Sequence, residues 1–174
     1  MVVALRGVIG AAHGFPRLAP LLDADGNPVI LPDGSTELER VQDIPASERF
    51  FAGGSTTHRG FSVDRLGQRS TFTPGGFPTG GDGELLLNSE IRVSLFKAIA
   101  GVAFLDLGNI YKSASDISFA DVRPAVGGGV HVRTPFGPIR VEVGVNLDRR
   151  PITLTDPDKL EQRYLLHISL GPAF

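Results

Sequence analysis

The sequence predicts an all-β chain built as part of an antiparallel transmembrane β-barrel, and three observations carry that prediction. Helical periodicity is nearly absent, whereas strict alternation of apolar and polar residues recurs along the chain. Each alternating run is roughly 10–13 residues long, about twice an ordinary globular strand and enough to cross a bilayer at a tilt. The connections also alternate: residues 96–98 and 134–138 are tight turns, whereas 14–83, 112–121 and 149–162 are longer and polar. Short turns at one end and long loops at the other are the arrangement of an outer-membrane-type barrel.

Six strands follow in order. The first, about 2–13, sets Val3, Leu5 and Ile9 against Arg6. Arg6 interrupts the apolar run and no basic segment precedes it, so this stretch reads as a strand and not as a secretory signal. In 84–96, Leu85, Leu87, Ile91, Val93 and Leu95 oppose Glu84, Asn88, Glu90, Arg92 and Ser94. The run 98–111 is more apolar, with Ile99, Ala103, Leu105 and Leu107 on one face and Val102, Phe104, Asp106 and Gly108 on the other. In 122–134 the even positions are mostly valine, and the odd ones hold Arg123, Gly127, Gly129, His131 and Arg133. In 138–148, Ile139, Val141, Val143, Val145 and Leu147 alternate with Arg140, Glu142, Gly144, Asn146 and Asp148. The last run, 163–174, sets Tyr164, Leu166, Ile168, Leu170 and Phe174 against Leu165, His167, Ser169, Gly171 and Ala173.

A soluble β-sandwich binding module shows the same period with its apolar face inside. Strand length and loop asymmetry favour the barrel. Six strands are too few to close one, because known transmembrane barrels have at least about eight and lipid does not tolerate an open edge. The chain is therefore expected to belong to a larger barrel or to need partner strands.

Composition narrows the chemistry. The chain has 174 residues and a net charge of −2, so it carries no electrostatic footprint for nucleic acid. It has no cysteine, which excludes thiolate metal sites, thiol catalysis and disulfides. No apolar stretch is long enough for a transmembrane helix. Its four histidines lie on different segments without ligand spacing. "DADGN" at 23–27 lacks the glycine and glutamate positions of a calcium loop and reads as a turn. Gly127-Gly128-Gly129 lies mid-strand with no helix after it, which points to close packing and not to phosphate binding. No hydrolase, metalloprotease or nucleotide-binding pattern is present. The expectation is a protein that is not an enzyme, with no metal and no cofactor.

Five stretches together resemble the BamA/TamA family of outer-membrane assembly factors and the related two-partner secretion exporters. "PASERFFAGGSTTHRGF" (45–61) is similar to the family's long loop with its R-G-F tip, here Arg59, Gly60 and Phe61. "LLLNSEIRVSLF" (85–96) resembles the next strand with its inward glutamate, Glu90. "VAFLDLGNIY" (102–111) resembles the F-x-D-x-G strand, with Phe104, Asp106 and Gly108. "VGGGVHVRTPFGPIRVEVG" (126–144) resembles the following hairpin. "RYLLHISLGPAF" (163–174) resembles the final strand, whose signal residues are Tyr164, Gly171 and the terminal Phe174. Residues 16–44 carry none of these motifs and read as an extracellular insertion.

The resemblance implies a sixteen-stranded barrel preceded by periplasmic POTRA domains, with this chain holding the last six strands. It places the protein in the bacterial outer membrane with its C-terminus facing the periplasm. Its implied partners are the lipid bilayer, unfolded outer-membrane client proteins and accessory assembly subunits. It implies function by strand templating at a lateral seam; the alternative within the resemblance is an exporter barrel. It also implies that the loop folds back into the lumen, where Arg59 meets Asp106 and Glu90. Residue parity independently puts both acids on one face of adjacent strands, which lie about 4.8 Å apart. Two carboxylates at that spacing suit the forked donors of one guanidinium.

Overall fold

The computed structural model describes residues 1–23, 25–41, 44–151 and 158–171. Among the described residues there are eight strands: β1 (Val2–Ala11), β2 (Arg17–Pro20), β3 (Leu38–Val41), β4 (Gly83–Ser94), β5 (Ile99–Tyr111), β6 (Arg123–Thr134), β7 (Gly137–Asn146) and β8 (Tyr164–Leu170). Six of them form one antiparallel sheet in the order β1-β4-β5-β6-β7-β8. Each strand of that sheet pairs with the next one along the chain, apart from the excursion between β1 and β4. Helix is limited to four three-residue 3-10 turns among the described residues.

The alternation becomes a division between two faces. Leu5, Ile9, Ile91, Val143, Leu166 and Ile168 point to the exposed face, and Leu5 and Ile168 are 76% and 70% exposed. The opposite face carries Asn88, Glu90, Asp106, Arg123, Arg140 and Glu142, all buried. The segment 44–82 covers this second face.

Near the long-loop end, the covered face also holds an apolar core. Leu86 and Ile110 of β4 and β5 meet Ala52, Phe61 and Leu66 of the covering segment, with Val8 and Phe50 packed alongside. Leu86 belongs to a run of three leucines, Leu85–Leu87, and its parity with Asn88 and Glu90 places it on the covered face.

The excursion after β1 is partly ordered. β2 and β3 pair as a stem, and Leu21, Val29 and Glu37 close a three-way junction above it. Leu21 N–H donates to Glu37 O, Val29 N–H to Leu21 O and Glu37 N–H to Val29 O, each at 2.8 Å. Two small hairpins leave the junction. In the first, Asp23 Oδ1 accepts from the backbone N–H of Asp25 and Asn27, both at 2.9 Å, an aspartate-held turn. Asp33 does the same for Ser35 in the second.

The strand expected over 163–174 is seen as Tyr164–Leu170. Gly171 follows with φ +106, a conformation suited to glycine, and its N–H still donates to Pro138 O of β7 at 2.9 Å. Phe174 lies outside the described residues.

Candidate functional site

The site is built around the tip of the covering segment. Gly53, at φ +124, starts a tight reversal in which Gly54 N–H donates to Phe61 O at 2.8 Å and Phe61 N–H donates to His58 O at 3.2 Å. Thr57 Oγ1 closes it from inside, accepting from Gly53 N–H and donating to Gly53 O, both at 2.8 Å. A glycine-rich stretch is thus given one shape by its own hydrogen bonds before it meets the sheet.

Register prepares the floor beneath this tip. One cross-strand row runs Glu90, Phe104, Gly127, Gly144, Leu165 across β4 to β8. Two glycines side by side leave a depression. A Cβ on Gly127 would strike the Phe104 ring, and a Cβ on Gly144 would strike the carbonyl of Arg59. Gly60, the next tip residue, lies against Ala125, and a Cβ there would collide with it. The Phe104 ring therefore lies flat over β6, and the Arg59 guanidinium stacks 3.5 Å above its centroid.

Arg59 is 2% exposed. Its Nε and Nη2 donate to the two oxygens of Asp106 at 2.9 Å each, and its backbone N–H donates to Asp106 Oδ2 at 2.9 Å. Nη1 donates to Glu90 Oε2 at 2.5 Å and to Glu142 Oε1 at 2.8 Å. Asn88 Nδ2 adds a further donor to Asp106 at 3.0 Å. Arg92 bonds Glu90, Arg140 donates to Glu142 Oε2 at 3.2 Å, and His131 Nε2 contacts Glu142 Oε1 at 3.2 Å. Three carboxylates thus face three guanidinium groups. Such a balance lets charges stay buried, because each ion keeps partners in place of lost water.

The tip reaches every strand of the sheet. Ser55 O accepts from Arg140 of β7 at 3.3 Å, Thr56 O from Arg6 of β1 at 2.9 Å, and Thr57 O from Asn88 of β4 at 2.8 Å. His58 Nε2 donates to Arg123 O of β6 at 2.9 Å, Arg59 binds Asp106 of β5, and Arg59 O accepts from His167 Nε2 of β8 at 2.9 Å. Five consecutive residues therefore touch all six strands.

His58 is fully buried, and its bonds define its state. Because Nε2 donates to a carbonyl and Nδ1 accepts from Gly60 N–H at 3.4 Å, the ring is neutral. Burial pushes its pKa below the usual imidazole value, and the nearby Arg123 charge acts in the same direction.

A second cluster lies toward the long-loop end. Arg123 donates to Glu161 at 2.5 and 3.1 Å, and its guanidinium lies 4.4 Å from the Phe61 ring centroid. Arg150 Nη2 pairs with Asp121 at 3.0 Å and Asp148 at 2.8 Å. Burial alone would raise the pKa of Asp121, but Gln68 and Arg150 bond its carboxylate and hold it below the ordinary value.

Of the residues singled out in the sequence, Arg59, Gly60, Phe61, Glu90, Phe104 and Asp106 converge in this site. Gly108 pairs with Leu86 on β4, and a Cβ there would strike the Leu86 side chain. Tyr164 points to the exposed face and Gly171 lies at the end of β8, bonded to Pro138 O, so neither joins the cluster. Sequence reasoning missed Glu142 and His167 as partners of the tip. The parity of β7 and β8 had already placed both on the covered face, and that was the available signal.

Comparison with known proteins places this arrangement. The Omp85 superfamily domain matches residues 26–174, beginning inside the segment that the motifs left unassigned. The chain is also similar to the outer membrane protein assembly factor BamA of Nitratidesulfovibrio vulgaris, strain Hildenborough, at 32% identity over 120 residues. That alignment covers 66% of this chain and 15% of the relative. With the family domain covering most of its length, the chain belongs to the Omp85 superfamily.

Proposed function

We propose that this chain is the C-terminal barrel portion of an outer-membrane protein assembly factor of the BamA/TamA type. The observation that carries the membrane reading is the reversal of polarity between the two faces. Charged side chains such as Glu90, Asp106, Arg140 and Glu142 are buried, while Leu5, Ile9, Leu166 and Ile168 lie exposed. A soluble sandwich hides its apolar face. An apolar face continuous over six strands is suited to lipid, with the polar face toward a lumen. In this reading the long loops are extracellular, and the turns after β4 and β6 lie on the periplasmic side together with the C-terminus.

The work is strand templating and involves no bond chemistry. β8 is the last strand of the sheet, and its outer edge presents unpaired N–H and C=O groups among the described residues. Such an edge pairs with an incoming strand of an unfolded outer-membrane client. The Arg59 cluster fixes the loop across the sheet and so holds the shape of the wall that carries this edge. Phe174 serves as a strand signal, and accessory subunits act with the full-length protein.

The test is disulfide trapping in the full-length protein. Cysteines at Leu166 and Ile168 are paired with cysteines scanned along a client's strand during assembly. Bonds at alternate client positions, in one register, are expected. Trapping at no position, or equally at all positions, contradicts templating at β8.

A further inference from the structure

β8 is held to the rest of the molecule in two ways. Its ladder with β7 runs from Ile139↔Leu170 to Val145↔Tyr164. Beyond that, among the described residues it makes one side-chain hydrogen bond, from His167 Nε2 to the carbonyl of Arg59 at 2.9 Å. Ser169, its other inward polar residue, has a buried hydroxyl with no partner. His167 stands directly opposite Glu142 in the ladder, and Glu142 holds Arg59 from the other side. Gly144 leaves the space through which the Arg59 carbonyl comes down onto the sheet.

We infer that His167 is a positioning residue that tethers the seam strand β8 to the loop tip. The latch state of Arg59 then sets how freely the β8 edge can separate. The inference rests on the seam reading above and adds the device that couples loop to seam. The bond uses a main-chain carbonyl whose position is fixed by the salt-bridge cluster. When Arg59 leaves Asp106, its carbonyl leaves with it, and β8 keeps its ladder and the burial of Leu165. The coupling needs no movement of β4 to β7.

Hydrogen exchange of the full-length protein in lipid bilayers tests this, reading β8 (165–170), the tip (53–61) and β5–β6 as an internal control. His167→Leu is expected to speed exchange in β8 by about five- to tenfold, the size of one hydrogen bond, with the tip and β5–β6 unchanged. His167→Gln, whose amide can donate at similar reach, is expected to restore protection to within about twofold. Arg59→Ala is expected to release both the tip and β8, and adding His167→Leu to it should change β8 no further. Unchanged β8 exchange in His167→Leu overturns the tether. So does failure of Gln to rescue, which would make the ring a packing element, or release of the tip without β8 in Arg59→Ala. Client assembly rates are measured in parallel. A β8 released as expected with assembly unaffected supports the tether and overturns the seam reading.

Discussion

Two arginine clusters, one around Arg59 on the covered face of the sheet and one around Arg150 in the loop after β7, differ in their access to water. The side chains of Arg59, Glu90, Asp106 and Glu142 are 0–3% exposed. Those of Arg150 and Asp121 are 38% and 34% exposed at a similar ion-pair distance. In the first, each ion depends on the others, because removing one leaves a charge that water cannot reach. In the second, solvent replaces any partner that is lost. The comparison teaches that contact distance says little about consequence; the deep cluster locks a loop, and the outer one trims loop ends.

The largest expected effect comes from emptying the deep cluster of its central acid. Asp106→Ala removes the acceptor for three Arg59 donors and for Asn88. A loss of about 3 kcal/mol in loop protection is expected, the lower end for breaking a buried ion cluster. Hydrogen exchange over 53–61 in the full-length protein reads it. A loss as small as that at Arg150 would erase the distinction between the clusters.

A smaller effect is expected from pH. The folded-state pKa of His58 is lowered, so its neutral ring contributes stability that is present above the unfolded value, near 6.5. That contribution is lost as pH falls through the depressed folded value. Arg123 and Asp106 are the charges acting on the ring; a proton would add a cation beside Arg123 and remove the acceptor for Gly60 N–H. Tip protection, taken relative to the intrinsic exchange rate at each pH, should therefore fall below about pH 6. His58→Gln, which cannot titrate, should flatten that part of the profile. An unchanged profile in the variant would show that His58 is not the group behind the pH dependence.

The smallest effect is expected in the outer cluster. Arg150→Ala should change stability by less than about 1 kcal/mol, and added salt should shrink the difference further. Urea unfolding at two salt concentrations measures both. A loss matching Asp106→Ala would mean that the outer loops close over Arg150 in the full-length protein.

How much of this was legible in the sequence follows from the kind of contact involved. The six long strands could be read because one face is apolar and the other charged, so parity survives over whole runs. Within Leu85–Leu87 it put Leu86 inward and Leu87 outward as found, but Leu85, set on the same side as Leu87, is buried. The pairing of Arg59 with Asp106 and Glu90 was readable because the residue types complement each other at motif positions. The rest of the tip's hold was not. Ser55, Thr56, Thr57 and Arg59 accept through main-chain carbonyls, which carry no residue signature. The glycine floor depends on Gly127 and Gly144 meeting across β6 and β7, and only register shows that. Glu142 was on the correct face by parity, but nothing in its local sequence points at a loop more than eighty residues away.

A double-mutant cycle between Arg59→Ala and Asp106→Ala tests the central claim most directly, read as loop-tip exchange in the full-length protein. If the tip is held by a buried cluster, Arg59→Ala should release it, and Asp106→Ala added to that background should cost at least about 2 kcal/mol less than it does alone. Strictly additive losses would contradict the account, because they would mean that the loop is held by contacts in which Arg59 and Asp106 act independently.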